Sequence, residues 1–339
     1  MNSVKILHCA DIHLDAPLTG LPAQLSKMRQ EELRQTFGEM VEVANQKNVD
    51  IFLISGDLFD QEQVRKTTID YLVTKLKEIS NIPVMIAAGN HDSLSRSYYY
   101  NKKIWPENVH IFDKDVGCVD FPELNCCVYG KSFFTPLEEQ NGLKGFYVSD
   151  ESKINIMVMH GEITTAGSQG QYNPITLEDI NNSGLDYLAL GHVHGFSGIN
   201  KAGNTYWSYP GTPEAKGFDE LGKKGFIMGE VSKGYVELDF IENNKREYFE
   251  KEIDVTGFCT YDEIVEKAIN AMGENSNQHF YKLILKGDVP EDFNIHTDIV
   301  LSRLRDQAFM LKIINKTTFS IQLENDFAED TLKNVFINH

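Results

Sequence analysis

Five of the ten histidines, His13, His91, His160, His192 and His194, directly follow apolar runs and stand beside Asp, Asn or Gly. In chain order the groups are D-x-H (Asp11, His13), G-D-x-x-D (Gly56, Asp57, Asp60), G-N-H-D (Gly89, Asn90, His91, Asp92), H-G (His160) and G-H-x-H (Gly191, His192, His194). Imidazole mixed with carboxylate suits borderline divalent transition metals, whereas an all-oxygen shell would suit Mg or Ca. One carboxylate can bridge two cations, and such a pair both activates a water and clamps the oxygens of a phosphoryl group in flight. Asp57 is the expected bridge. A lone D-x-H or G-H-x-H would be weak evidence, because a histidine at a strand end often serves only as a hydrogen-bonding group. Five such groups in one order point to a metal-dependent hydrolase.

Groups so far apart in sequence need a scaffold that gathers them. Residues 4–9, 51–55 and 82–88 are apolar runs separated by two helical stretches, a β-α-β-α-β rhythm. Leu33, Phe37, Met40, Val41 and Ala44 share one face of the first helix; Ile69, Leu72, Leu76 and Ile79 share one face of the second. Near-continuous apolar strands imply a sheet buried on both faces. From residue 109 short strands follow at 109–112, 126–130, 154–159, 187–190, 205–209 and 226–231, which predicts a second sheet packed on the first. The metal-type groups then fall in loops at strand carboxyl ends, where open α/β sheets place their sites. A polar run near residue 243 divides a domain of residues 1–243 from an α+β domain of 244–339. In the latter, Ile264, Val265, Ala268, Ile269 and Met272 form a helical stripe.

Composition bounds the remainder. Hydrophobic residues make up 41% and charged residues 24%, which is ordinary for a globular protein. No run approaches the ~20 apolar residues of a membrane span, and the chain opens on an apolar strand rather than a basic leader, so a cytoplasmic protein without membrane contact is expected. The five cysteines are odd in number, lack a C-x-x-C pair and lie mostly in apolar runs, which predicts reduced thiols. With 32 Lys and Arg against 50 Asp and Glu, the net charge of −18 argues against non-specific coating of DNA. It leaves DNA open as a substrate, since bound cations would supply the charge where a phosphate docks.

The ordered motifs resemble the calcineurin-like metallophosphoesterase superfamily over about residues 4–232. The resemblance implies a four-layer αββα sandwich with a smaller C-terminal α+β cap. It further implies one metal held by Asp11, His13, Asp57 and His194 and a second held by Asp57, Asn90, His160 and His192. His91 matches the histidine that contacts the scissile phosphate and assists the leaving oxygen, with Asp92 orienting it. Asp60 and Asp15 are candidates for aiming a ligand imidazole. The opening H-C-A-D-I-H-L-D-A-P and the stretch Y-P-G-T-P-E-A-K-G-F-D-E (209–220) are similar to SbcD-type DNA-repair nucleases of the YhaO-like branch. That likeness implies DNA phosphodiester hydrolysis with two divalent ions, Mn2+ foremost and Fe or Zn also fitting the shell. Its expected partners are DNA, an SbcC-type SMC-like ATPase and a second copy of the chain as a homodimer. A phosphatase or cyclic-nucleotide phosphodiesterase is the alternative chemistry, and a scaffold subunit of an ATPase complex the alternative class. Outside the motifs, His8, His110, His279, His296 and His339 are expected to be structural. Tyr98, Tyr99 and Tyr100 beside Arg96, Lys102 and Lys103 read as packing ahead of base stacking. Phe327, Leu332, Val335, Phe336 and Ile337 offer an apolar terminal segment for an ATPase groove.

Overall fold

The computed structural model describes residues 2–60, 64–101, 103–165 and 170–320; the apolar terminal segment at 327–337 lies outside them. The chain divides into two compact units, Met1–Glu247 and Tyr248–His339.

The first unit opens with β1 (Ser3–Cys9), α1 (Ala23–Gln46), β2 (Ile51–Ser55), α2 (Lys66–Glu78), β3 (Val84–Ala87) and β4 (Val109–Ile111). The four strands run parallel in the order β1-β2-β3-β4. The apolar faces predicted for α1 and α2 are buried against them, with Phe37, Met40, Leu72 and Leu76 in one core with Leu7, Phe52, Ile54 and Ile86. Next come β5 (Gly117–Phe121), β6 (Cys126–Lys131), β7 (Ile154–His160), β8 (Ile163–Thr164), β9 (Ile175–Thr176), α3 (Leu177–Asn181), β10 (Tyr187–Gly191), β11 (Asn200–Ala202) and β12 (Thr205–Ser208). Six of these strands form a second sheet in the order β11-β12-β10-β7-β6-β5, parallel in its middle and antiparallel at both edges. Strands β13 (Gly225–Ser232) and β14 (Tyr235–Glu242) return to the first sheet and extend it beyond β1, antiparallel.

Alternate residues of one strand serve different cores, because successive side chains point to opposite faces. Leu7 and Cys9 face the helices, whereas Val4 and Ile6 join Leu53, Met85, Val128, Ile156, Val158 and Ala189 between the two sheets. The far face of the second sheet buries Met157, Met159, Leu188 and Leu190 under Ile180 of α3 and the 143–148 segment. The layers therefore run helices, sheet, sheet, helix, with the last layer reduced to the five-residue α3 and its loops. Strands β5 and β14 escaped the sequence reading. Each is an edge strand with alternating exposure and charged positions, so neither forms an apolar run.

One expectation is corrected: Cys118 and Cys127 form a disulfide between β5 and β6, their Cα atoms 6.5 Å apart, while Cys9, Cys126 and Cys259 are free. Antiparallel pairing brings together residues whose sequence spacing carries no disulfide signature.

The second unit contains β15 (Tyr248–Asp254), α4 (Tyr261–Met272), β16 (Phe280–Val289), α5 (Thr297–Leu304) and β17 (Met310–Phe319). Its three strands are parallel in the order β15-β16-β17, and its helices alternate with them. Helix α4 starts at a capping box in which Thr260 and Glu263 each satisfy the other's backbone amide. Ile264, Ala268 and Met272 of α4 pack with Val300 and Leu304 of α5 on Ile253, Leu283 and Leu285. Among the described residues no helix is long and apolar enough to cross a membrane.

One polar tie crosses the dry interface between the sheets of the first unit. His8 Nδ1 lies 2.8 Å from Tyr187 Oη and its Nε2 3.1 Å from Ser55 Oγ, while the Ser55 hydroxyl donates to Ala189 O at 2.9 Å. With that hydroxyl proton committed to Ala189, Nε2 donates to Ser55 and Tyr187 donates to Nδ1. Burial pushes His8 down to about 3, so it is neutral in the folded protein. His8→Phe should cost about 1–3 kcal/mol in denaturant unfolding, because Tyr187 Oη loses its partner. Below the ordinary histidine value near 6.5 the unfolded state takes up a proton at His8 that the folded state refuses, so acid favours unfolding of the parent and leaves the variant unaffected at this position. The stability gap between them should therefore narrow as the pH falls from 7 to 5.

Candidate metal centre

The loops that follow β1, β2, β3, β7 and β10 converge at one end of the sandwich. After β1 and β2 the chain does not diverge: Asp11 N donates to Gly56 O (3.1 Å), His13 N to Asp57 O (2.9 Å) and Leu14 N to Leu58 O (3.0 Å). This pairing holds Asp11, His13 and Asp57 at φ of 53°, 51° and 50°, in the left-handed region that side chains other than glycine adopt at a cost. His192 is held at φ 116° by its amide, which donates to both Asp11 carboxylate oxygens at 3.0 and 3.1 Å. Gly56, at φ +87°, leaves the space in which a Cβ would lie 2.4 Å from His160 Nδ1.

The side chains fall into two donor groups that meet at Asp57. On one side His13 Nε2 lies 3.1 Å from His194 Nε2 and 3.8 Å from Asp57 Oδ2, and His194 Nε2 is 3.9 Å from Asp11 Oδ1. On the other, Asn90 Oδ1 lies 2.9 Å from His160 Nε2 and 3.3 Å from His192 Nδ1, and His160 Nε2 is 3.5 Å from Asp57 Oδ2. Asp57 Oδ2 thus faces both groups, while Oδ1 accepts from the His91 amide at 2.9 Å. All seven residues read from the motifs as ligands are brought together.

The far nitrogens of three imidazoles are also accounted for. His160 Nδ1 lies 2.9 Å from Ser55 O, His194 Nδ1 2.6 Å from Glu220 Oε1 and His13 Nδ1 2.8 Å from Asp60 Oδ1. A proton held at each Nδ1 leaves the Nε2 lone pair turned into the cluster, the tautomer a metal requires.

The electrostatics are those of a site built around positive charge. Burial pushes the Asp11 carboxyl up to about 6 and Asp57 well above the usual carboxylate range, the latter reinforced by Asp92 and Asp11. Burial likewise drives His13 and His160 well below the usual imidazole range. Carboxylates that resist ionisation and imidazoles that stay neutral describe a dry cavity whose negative charge calls for a cation. The mixed N and O donors fit divalent metal, with Asp11, His13 and His194 forming one compact cluster and Asp11, Asp57 and His160 another.

The remaining motif residues divide. Asp60 does aim a ligand, His13, and also lies 3.8 Å from His91 Nδ1. His91 is 44% exposed, with its ring edge-on to His13. Two expectations are corrected. Asp15 binds Arg34, Thr68 and the Arg65 amide, bracing the α1 and α2 ends instead of orienting an imidazole. Asp92, expected to orient His91, accepts from Gly89 N (2.7 Å), Phe59 N (3.2 Å) and Tyr100 Oη (2.5 Å). The tight G-N-H-D turn folds this carboxylate back onto its own amide three residues earlier, so it fixes the loop's backbone. Tyr99 and Tyr100 are buried, which supports packing over base stacking for that cluster.

Glu220 was missed, although it ends the 209–220 stretch singled out in the sequence. In the same stretch Glu214 pairs with buried Arg29 of α1 at 2.7 Å and accepts from Thr36 at 2.8 Å. Nothing in the local pattern connects either glutamate to its distant partner.

Residues 4–196 match the family described as calcineurin-like phosphoesterase. The chain is 28% identical over 310 residues to the metallophosphoesterase YhaO of Bacillus subtilis (strain 168), covering 86% of this chain and 74% of that protein. It is 28% identical over 321 residues to the D-subunit of nuclease SbcCD of Staphylococcus epidermidis, covering 82% and 78%. It is 27% identical over 267 residues to the DNA double-strand break repair protein Mre11 of Methanopyrus kandleri, covering 70% and 57%.

Two substitutions test the centre. Asp57→Ala should abolish divalent-metal retention in the folded protein, read by elemental analysis, because both donor groups lose their shared oxygen. Glu220→Gln should keep the fold but weaken metal affinity by about 10–100-fold in a metal titration, because His194 loses its carboxylate partner.

Proposed function

We infer that this chain, which belongs to the calcineurin-like phosphoesterase family, is a metal-dependent nuclease that hydrolyses DNA phosphodiester bonds. The observation that carries the chemistry is the placement of Asp57 Oδ2 between two donor groups, with exposed His91 at their edge. In this reading Asp11, His13, Asp57 and His194 hold one cation and Asp57, Asn90, His160 and His192 the other. Mn2+ is the first choice for this donor set. Two bound divalent ions would supply Lewis-acid polarisation of the phosphoryl oxygens and an activated water.

The chain's own groups do the rest. Asp57 is held by the His91 amide, so its second oxygen faces inward without rotating. Asp92 pins the turn that carries Asn90 and His91. His91 has Nδ1 toward Asp60, which leaves Nε2 to meet the substrate and give a proton to the departing oxygen. Neutral His13 and His160, seated in the dry interior, orient their ligating nitrogens at no further cost when substrate arrives.

DNA as the substrate rests on relatives named as part of a nuclease and as a double-strand break repair protein. The same relatives support an SbcC-type ATPase as partner, with a homodimer as the assembly, the cytoplasm as the compartment and substrate selection as the task of residues 244–339. The net charge of −18 favours a second reading, a phosphodiesterase for small substrates, because few basic residues are left to track a long polyanion.

The deciding assay incubates the Mn2+-loaded protein with single-stranded DNA, duplex DNA, bis(4-nitrophenyl) phosphate and 4-nitrophenyl phosphate. Cleavage of DNA and the diester, stopped by chelation, is expected; turnover of the diester without either DNA would select the second reading. His91→Ala should retain metal and slow diester hydrolysis by about 10²–10⁴-fold. Parental rates in that variant would remove His91 from the reaction.

A further inference from the structure

A cation stands beside the donor groups without belonging to them. Lys216 Nζ lies 3.8 Å from Asp60 Oδ1, the same oxygen that His13 Nδ1 approaches to 2.8 Å and His91 Nδ1 to 3.8 Å. Asp60 therefore gathers a ligand imidazole, the exposed histidine and an ammonium around one atom. The base of the lysine is fixed as firmly as its head. Its amide donates to Glu220 Oε2 at 2.7 Å, while Glu220 Oε1 takes His194 Nδ1 at 2.6 Å. One carboxylate thus sets both His194 and the root of Lys216. Its positive charge acts on Asp11, His13, Asp57 and Asp60. The side chain is only 23% exposed, so the ammonium is partly withdrawn from water on the side of the site where His91 reaches solvent.

We propose that Lys216 is a substrate-binding residue whose ammonium takes a non-bridging oxygen of the scissile phosphate on the His91 side of the centre. An ammonium is a compact point charge with three donors, suited to a phosphate oxygen that shifts as the reaction proceeds. Asp60 is then a positioning residue that holds His91 and Lys216 at a common distance. The assignment rests on the phosphoester chemistry of the family and not on DNA as the substrate.

The test titrates inorganic phosphate calorimetrically into the full Mn2+-loaded chain, parent, K216Q and K216R, with metal content and thermal unfolding recorded for each. Hydrolysis of bis(4-nitrophenyl) phosphate is followed in parallel. Expected for K216Q are parental metal content, phosphate affinity lower by about tenfold and a KM for the diester raised to a similar degree, the loss of one charge-assisted contact. K216R should recover to within about threefold of the parent. Parental phosphate affinity in fully loaded K216Q would overturn the proposal. So would loss of metal from K216Q, which would make the lysine a charge balance for Asp60 and Asp11, or loss of the fold, which would make it structural. A parent chain that binds no phosphate overturns it as well. DNA cleavage does not enter these readings, so a failed nuclease assay leaves the role of Lys216 standing.

Discussion

The packing of one sheet on the other is the constraint from which the site follows. Asp11, His13, Asp57 and Asn90 leave the strand ends of the first sheet, and His160, His192 and His194 those of the second. Neither sheet carries a complete donor group, so the distance between sheets sets the distance between donors. Val4, Ile6, Leu53 and Met85 against Val128, Ile156, Val158 and Ala189 fix that distance by close packing, which tolerates little change in volume. Polar ties refine it near the site. Ser55 joins the two sheets through Ala189 O and, with its own carbonyl, receives His160 Nδ1; the His192 amide clasps Asp11 across the same gap.

Dryness has two consequences that work together. It makes buried carboxylates and imidazoles costly in their charged forms, which leaves the imidazoles neutral and the carboxylates in want of a cation. It also allows short backbone segments to be held in left-handed conformations by hydrogen bonds that water does not contest. The strain at Asp11, His13, Asp57 and His192 is thus offset by the surrounding ladder, and the donors are aimed before any ligand arrives.

The segment from Tyr209 to Glu220 shows how an irregular stretch can be as constrained as a strand. Glu214 is tied to Arg29 and Thr36 of α1, and Glu220 to His194 and the Lys216 amide. A buried ion pair of this kind is poor evidence for stability, since desolvation offsets much of the attraction, but it fixes where the chain runs. The loop anchored at Glu214 then delivers Glu220 to the back of one histidine.

The sequence by itself determined the ligand set and the sandwich, because both depend on strong local signals. Asp and His after apolar runs can be read residue by residue, and the helical faces of α1 and α2 follow from periodicity. Edge strands β5 and β14 were illegible, since a strand solvated on one side carries no apolar run. Tertiary structure alone decided which carboxylate serves which partner. Asp15, Asp60 and Asp92 look equivalent in the sequence, yet one braces two helices, one backs His13 and one caps a turn. Glu220 reaches His194 from 26 residues away, and Cys118 meets Cys127 across a strand pair. A carboxylate's role is set by the donors within about 3 Å of it, and that neighbourhood is assembled by the packing of two sheets, which no local spacing encodes.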